Sequence, residues 1–223
     1  MLNDDFTMKN LFEINTDRAE RVTIYGSNFY FIDKFYKHPR KVRRWLLKHQ
    51  SFLHKDQQKG YNGIHFEDRR HALKHPGMKD VNSYLSNLCR HHSPDDESDD
   101  VMTNLFKFKK CEFNDYQNNY WWPHLDSGYT GIVFFDKAVT NLYKYLGEPG
   151  KETETLNNVP EHERPWRPKN EWERILTLNG EFNRMVLFDA SKFYHGLDIS
   201  DDRYTKEYRM NQVMFFKNYG SPL

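Results

Sequence analysis

Residues 111–136 read CEFNDYQNNYWWPHLDSGYTGIVFFD. The end of this stretch, GYTGIVFFD, is a short apolar run rich in β-branched and aromatic residues, the composition of a strand. The part before it is dense in aromatics and carries His124 and Asp126 two residues apart. In extended chain, residues two apart share a face. His124 and Asp126 are therefore expected to point the same way, together with Trp122, Tyr120 and Asn118. The plain alternative is an ordinary polar strand end.

Spacing alone carries little. With 11 His and 18 Asp in 223 residues, His-x-Asp is expected by chance about once. It occurs twice. The other copy, His54-Lys55-Asp56 in SFLHKDQQKG, sits in a polar segment that ends at Gly60 and reads as a solvated helix end. The strand-like flanks set the copy at 124 apart.

Two later stretches complete a pattern. NRMVLFDASKFYHG (183–196) holds the apolar run Met185–Phe188, a turn-prone Asp-Ala-Ser, and then His195. YRMNQVMFF (208–216) opens a β-type run with Arg209 and places Asn211 on the same face. A lone His after aromatics is more often packed than functional. Order distinguishes this one: His-x-Asp, a distal His, then an Arg 14 residues on, each at a strand edge.

Two imidazoles and one carboxylate fill three positions on one side of a non-haem ferrous iron and leave three open. A guanidinium a short way downstream, on a strand-like run, suits a carboxylate gripped by two parallel hydrogen bonds. The set His124, Asp126, His195 and Arg209 points to an iron oxygenase driven by a 2-oxo acid. A carboxylate among the ligands argues against halogenation, which needs that coordination position vacant.

On these residues the C-terminal half resembles the Fe(II)/2-oxoglutarate-dependent dioxygenases, particularly their prolyl-4-hydroxylase-like branch. The whole chain resembles an uncharacterised oxygenase group common in phage genomes. The wider match is carried by IDKFYKHPRKVRRWLL, TNLYKY, ERPWRPKNEWERI, NRMVLFDASKFYHG and YRMNQVMFF. The resemblance implies a fold that is mainly β with flanking helices, around a double-stranded β-helix (jelly-roll, cupin-like) core. It implies Fe(II) held by His124, Asp126 and His195, with 2-oxoglutarate and O2 as cosubstrates. Arg209 would grip the distal carboxylate of 2-oxoglutarate, with Asn211 or Tyr120 adding a hydrogen bond. The gap from distal His to Arg is longer than is usual in that family, so GLDISDDRYTKEY is expected to form an extended loop, with Arg203 as the competing cation.

The expected organisation is a single domain over 1–223, with N-terminal strands and buttressing helices in 1–100 and the metal-bearing β-helix in 101–223. One domain of this size buries a substantial core. Mean hydropathy is low at −0.96, but aromatics reach 16%, so Phe, Tyr and Trp should build that core. The net charge of +1 gives no push toward nucleic acid or membrane. Cys89 and Cys111 make neither a metal pair nor a disulfide framework, which fits a reducing cytoplasm. No stretch is apolar enough to span a bilayer and the first thirty residues lack a signal-peptide core. The expected location is cytoplasmic, the host's cytoplasm if the chain is phage-encoded.

Strands are expected over 21–25 and 28–33, paired around Gly26-Ser27. A basic helix should start at Pro39 with Val42, Trp45 and Leu46 on one face; a solvated face explains its cations better than nucleic acid does. A second helix should present Val81, Tyr84, Leu85 and Leu88. SPDDESDD (93–100) reads as an acidic surface loop. Residues 140–172 read as one long loop, and long loops inside compact domains are often lids; Trp166 or Arg167 would then face the substrate, while His162 reads as solvent-exposed. His195 is expected across the barrel mouth from His124 and Asp126. The oxidised substrate is left open among an amino acid, a peptide and a nucleobase, as is a homodimer. Two rival classes remain: a cupin-like metal protein using no 2-oxo acid, against which Arg209 speaks, and a non-catalytic binding protein, against which the intact triad speaks.

Overall fold

The computed structural model describes residues 10–48, 52–53, 66–72, 75–90, 101–108, 116–152 and 165–216. The architecture is mainly β, a jelly-roll of antiparallel sheets with two flanking helices among the described residues. His54, Asp56, the acidic run 93–100, Cys111 and His162 lie outside the described residues.

The first hairpin joins β1 (Ala19–Ile24) to β2 (Ser27–Ile32). Its two-residue turn is Tyr25-Gly26, one position earlier than the sequence suggests. Both turn residues have positive φ, 49° and 74°, the geometry whose twist matches a right-handed hairpin and that glycine adopts without steric cost. Helix α1 (Pro39–Lys48) starts at its proline, where the missing N–H and fixed φ cost nothing, and buries Val42 and Leu46. Helix α2 (Met78–Cys89) buries Met78, Val81, Leu85 and Cys89, a stripe at helical spacing, and stops where Arg90 turns left-handed at φ 57°. No helix among the described residues is long and apolar enough to cross a membrane.

The remaining strands are β3 (Phe52–Leu53), β4 (Phe66–Ala72), β5 (Val101–Phe108), β6 (Asn119–Trp121), β7 (Tyr129–Phe134), β8 (Val139–Tyr145), β9 (Trp166–Pro168), β10 (Trp172–Asn179), β11 (Met185–Asp189), β12 (Tyr194–Asp198) and β13 (Arg209–Phe216). The large sheet runs β1-β2-β11-β7-β13-β5-β4-β3, the small one β10-β8-β12, and β6 pairs with β9.

The central strands of the large sheet are buried on both faces because both are covered. Alternation sorts them. Met185 and Leu187 of β11, Val133 of β7 and Met210 and Met214 of β13 join the helices in one core. Val186 and Phe188 of β11, Ile132 and Phe134 of β7 and Phe29 of β2 meet Leu142 and Leu178 of the small sheet in a second. The aromatic core expected from composition is present, with Phe29 stacked on Phe188 at 5.7 Å.

The expected loop over 140–172 is corrected. Thr140–Tyr145 belongs to β8 in the small sheet, Trp166–Pro168 form β9, and Trp172 opens β10. Thr140 and Asn141 look like loop residues but are fully buried. Asn141 donates to Asp198 and accepts from Thr177, both at 3.0 Å, so its polarity is satisfied inside the fold. The connector is confined to 146–165, of which 153–164 lie outside the described residues.

Candidate metal centre

The strand carrying His124 does not run straight into it. Trp122 takes φ 37°, a left-handed value that is uncommon for a bulky residue and costs conformational energy. That kink breaks the alternation that would align Tyr120 with His124. After it, His124 and His195 form an isolated antiparallel bridge, so the two imidazoles are neighbours with ring centroids 4.4 Å apart. His195 therefore stands beside His124 and not across the mouth from it. Asp126 follows, its N–H bonded to the Ala190 carbonyl at 3.2 Å. The turn-prone Asp-Ala-Ser forms as expected: Asp189 accepts from the Ser191 N–H at 3.2 Å and its hydroxyl at 2.6 Å.

One ligand atom from each of His124, Asp126 and His195 lies within 4.8 Å of the others, a group that could hold a metal ion. His124 Nδ1 lies 2.9 Å from the Trp122 carbonyl, and His195 Nδ1 lies 3.2 Å from the Phe193 carbonyl. A carbonyl only accepts, so each Nδ1 carries a proton and Nε2 is the atom of each ring left to face a metal. Those Nε2 atoms converge on the carboxylate, 3.8 Å from Oδ1 for His124 and 3.2 Å from Oδ2 for His195. Thr130 donates to Asp126 Oδ2 at 2.9 Å.

The protonation states suit ligation. Burial, then the like charge of His195, pushes the His124 imidazole down to about 4 against the pull of Asp126. Burial alone would raise Asp126, but its hydrogen bond and attraction to His195, with His124 and Thr130, hold it well below the usual carboxylate range. At neutral pH these two ligands are a neutral imidazole and a carboxylate.

The cavity at the triad has a volume of about 310 Å³ and reaches Thr140, Asn211, Asn104 and Arg70, with Ile132, Leu197, Val213, Phe215, Trp121 and Trp122 as apolar walls. Arg209 is fully buried just behind this lining. Its Nη2 donates to the Val139 carbonyl at 3.2 Å and the Thr140 hydroxyl at 3.3 Å, and its Nη1 to the Asn211 amide oxygen at 3.3 Å. All three acceptors are neutral, and Nε has no partner among the described residues. Burial works against its charge, and Asp136 is the chief group opposing that effect. Asp136 is itself buried and pushed up, with one oxygen unpartnered. A buried guanidinium with neutral partners is costly unless an anion joins it.

Asn211 lines the cavity with Arg209 behind it, as its shared face suggests. Tyr120 does not line it; its ring packs on Tyr143 at 4.6 Å and lies under Lys169 Nζ at 5.1 Å. Arg203 lies at the surface, bonded to Tyr204 and the Lys137 carbonyl. Trp166 and Arg167 also stand outside the lining. Trp166 packs on Trp121 at 5.1 Å, and Arg167 bonds the Trp166 carbonyl at 2.8 Å. Thr130, Thr140, Asn104 and Arg70 are additions that the sequence does not single out. They come from four separate strands; Thr130 lies just after the His124–Asp126 motif and Thr140 opens TNLYKY.

No family model and no curated protein matches the chain. Among solved structures it is similar to an Fe(II)/α-ketoglutarate-dependent dioxygenase, TqaL, at 15% identity, covering 70% of this chain and 62% of that one, with a TM-score of 0.33. This chain thus spans less than two thirds of that protein's length. The chemistry of the site rests on its own geometry.

Proposed function

We propose that the chain is an Fe(II)- and 2-oxoglutarate-dependent oxygenase that hydroxylates a C–H bond, of the prolyl-4-hydroxylase-like kind its motifs resemble. One observation carries this. The two Nε2 atoms and the Asp126 carboxylate converge in the cavity where buried Arg209, whose hydrogen-bond acceptors among the described residues are neutral, stands behind Thr140 and Asn211.

The donor set fits ferrous iron: two imidazoles and a carboxylate, with the rest of the cavity open for exchangeable ligands. Iron and 2-oxoglutarate would together supply the oxidation, in which O2, 2-oxoglutarate and R–H become succinate, carbon dioxide and R–OH, with one oxygen atom in succinate and one in the hydroxyl. The chain's own work is positioning. The Trp122 and Phe193 carbonyls fix both imidazole tautomers, and Thr130 fixes the carboxylate. Arg209 would take the distal carboxylate of the 2-oxo acid, its fork already oriented by Thr140 and Asn211. Ile132, Val213 and Phe215 exclude water from the reacting centre.

A cupin-like metal protein that uses no 2-oxo acid would leave Arg209 without a purpose that matches its burial. Anaerobic titration with ferrous iron and then 2-oxoglutarate tests the choice. The weak visible charge-transfer band of the chelate should appear only when both are present, and its absence with iron bound overturns the proposal.

A further inference from the structure

Three pocket-lining groups lie beyond the triad and Arg209, and they share an arrangement. Arg70 of β4 pairs with Asn104 of β5, and Asn104 pairs with Asn211 of β13. Directly paired residues of antiparallel strands stand on the same face. Arg70, Asn104 and Asn211 therefore form one polar row across the sheet, on the face that lines the cavity. The row ends beside Arg209, and its other end is a second cation.

Two buried polar atoms of this lining have no hydrogen-bond partner among the described residues: the amide oxygen Asn104 Oδ1 and the indole donor Trp122 Nε1. Such atoms are rare in folded proteins and mark a missing partner. Trp122 also lies face-tilted on the His124 ring at 5.1 Å, so its donor stands close to the ligand set. Thus one cation, one orphan acceptor and one orphan donor surround apolar walls of Trp121, Val213 and Phe215.

We infer that Arg70, Asn104 and Trp122 form the seat of the molecule to be oxidised, and that this molecule is a free carboxylic acid of amino-acid size. The guanidinium takes the carboxylate, helped by the indole N–H. Asn104 Oδ1 takes an N–H or O–H donor of the same molecule, such as an α-ammonium group. The apolar walls take its side chain. Size agrees: about 310 Å³ is near the lower end for ligand sites, and a 2-oxo acid at Arg209 would occupy part of it. The oxidation of this molecule rests on the proposed function; its binding does not.

The test uses calorimetry on the full chain with L-valine, L-leucine and L-proline, each beside its carboxamide. At least one acid should saturate the parent, with its amide about ten- to a hundredfold weaker, the ratio expected for loss of hydrogen bonds to a charged group. Arg70→Gln should abolish the preference for acid over amide, and Arg70→Lys should keep part of it. The anaerobic iron and 2-oxoglutarate titration of both variants should follow the parent. The inference is overturned if no acid saturates, if acids and amides bind alike, or if Arg70→Gln keeps the preference. It is also overturned if Arg70→Gln weakens 2-oxoglutarate instead, which would assign Arg70 to the cosubstrate. Arg70-dependent acid binding without a visible band would sink the oxygenase proposal and leave the seat standing.

Discussion

His124 and His195 exchange two backbone hydrogen bonds, from His124 N to His195 O at 3.0 Å and back from His195 N to His124 O at 2.8 Å. A strand segment near the middle of the chain and another near its end are thereby fixed in register at the two residues that offer imidazole nitrogens. The placing of the two imidazoles is set by the backbone, and the side chains need only their tautomers held.

Removing any one ligand should therefore abolish iron retention while the fold persists. His124→Ala, Asp126→Ala and His195→Ala each leave two ligands, too few to hold a labile ferrous ion. Metal content after anaerobic loading and desalting measures this, with a thermal melt to show that each variant is folded. Parent-like 2-oxoglutarate consumption by all three variants would refute the assignment.

The backbone bridge has a weak point at Gly196. A methyl group there would collide with the Trp121 carbonyl oxygen and crowd that of Trp122. Both are backbone atoms and cannot swing aside. Gly196→Ala should cost about 1–3 kcal/mol in stability, the range for overpacking. It should also weaken iron binding by pushing the 121–124 segment away from β12. A variant with parent melting temperature and parent iron affinity would show that the segment gives way freely.

Acid should destabilise the metal-free protein in a defined window. The His124 imidazole is held down to about 4 from an ordinary 6.5, so between these values the unfolded chain binds more protons than the folded one. Stability is then fully present above about 6.5 and falls as pH drops toward 4. The lowered Asp126 acts in the same direction at lower pH. The His124 contribution is about 1–2 kcal/mol once the shift is discounted for a ring roughly one-third exposed. Urea midpoints in chelator across this window should fall with acid, less steeply in His124→Gln; equal slopes would refute the account.

Arg209→Lys keeps the charge but loses the fork. Apparent 2-oxoglutarate affinity should fall by roughly 1.5–3 kcal/mol, the range for hydrogen bonds to charged groups. Arg203→Lys should leave it unchanged, because Arg203 faces Tyr204 and Asp201 at the surface. The reverse result would move the carboxylate site to Arg203.

The convergence of His124, Asp126 and His195 was legible because each sits in a short motif beside a strand that reads clearly as one. What surrounds them was not. Arg70, Asn104 and Thr140 reach the cavity only through pairings between distant strands, which no local pattern reveals. The alternation that groups Tyr120 with His124 assumes extended chain, and Trp122 breaks it with a positive φ. Thr140–Tyr145 read as loop because Thr and Asn signal solvent unless they find buried partners, and here they do. The β1–β2 hairpin and both helices were legible because periodicity and turn chemistry are local.

Trp166 is better understood as a clip than as a cover. It pairs with Trp121 across β6 and β9 and packs edge-on against it, while the Pro165 carbonyl accepts from the Trp122 N–H at 2.7 Å. The segment leaving the connector thus grips the two residues that precede Pro123 and His124, including the strained one. Trp166→Ala should cost about 2–4 kcal/mol, somewhat below the loss of a fully buried large aromatic because the ring is half-buried. It should weaken iron binding and substrate-free 2-oxoglutarate turnover together, since both depend on where His124 stands. A cover would behave differently: its loss would raise uncoupled 2-oxoglutarate decay relative to product and leave iron affinity as it was. Comparing iron affinity with the coupling ratio in this one variant decides between the two roles.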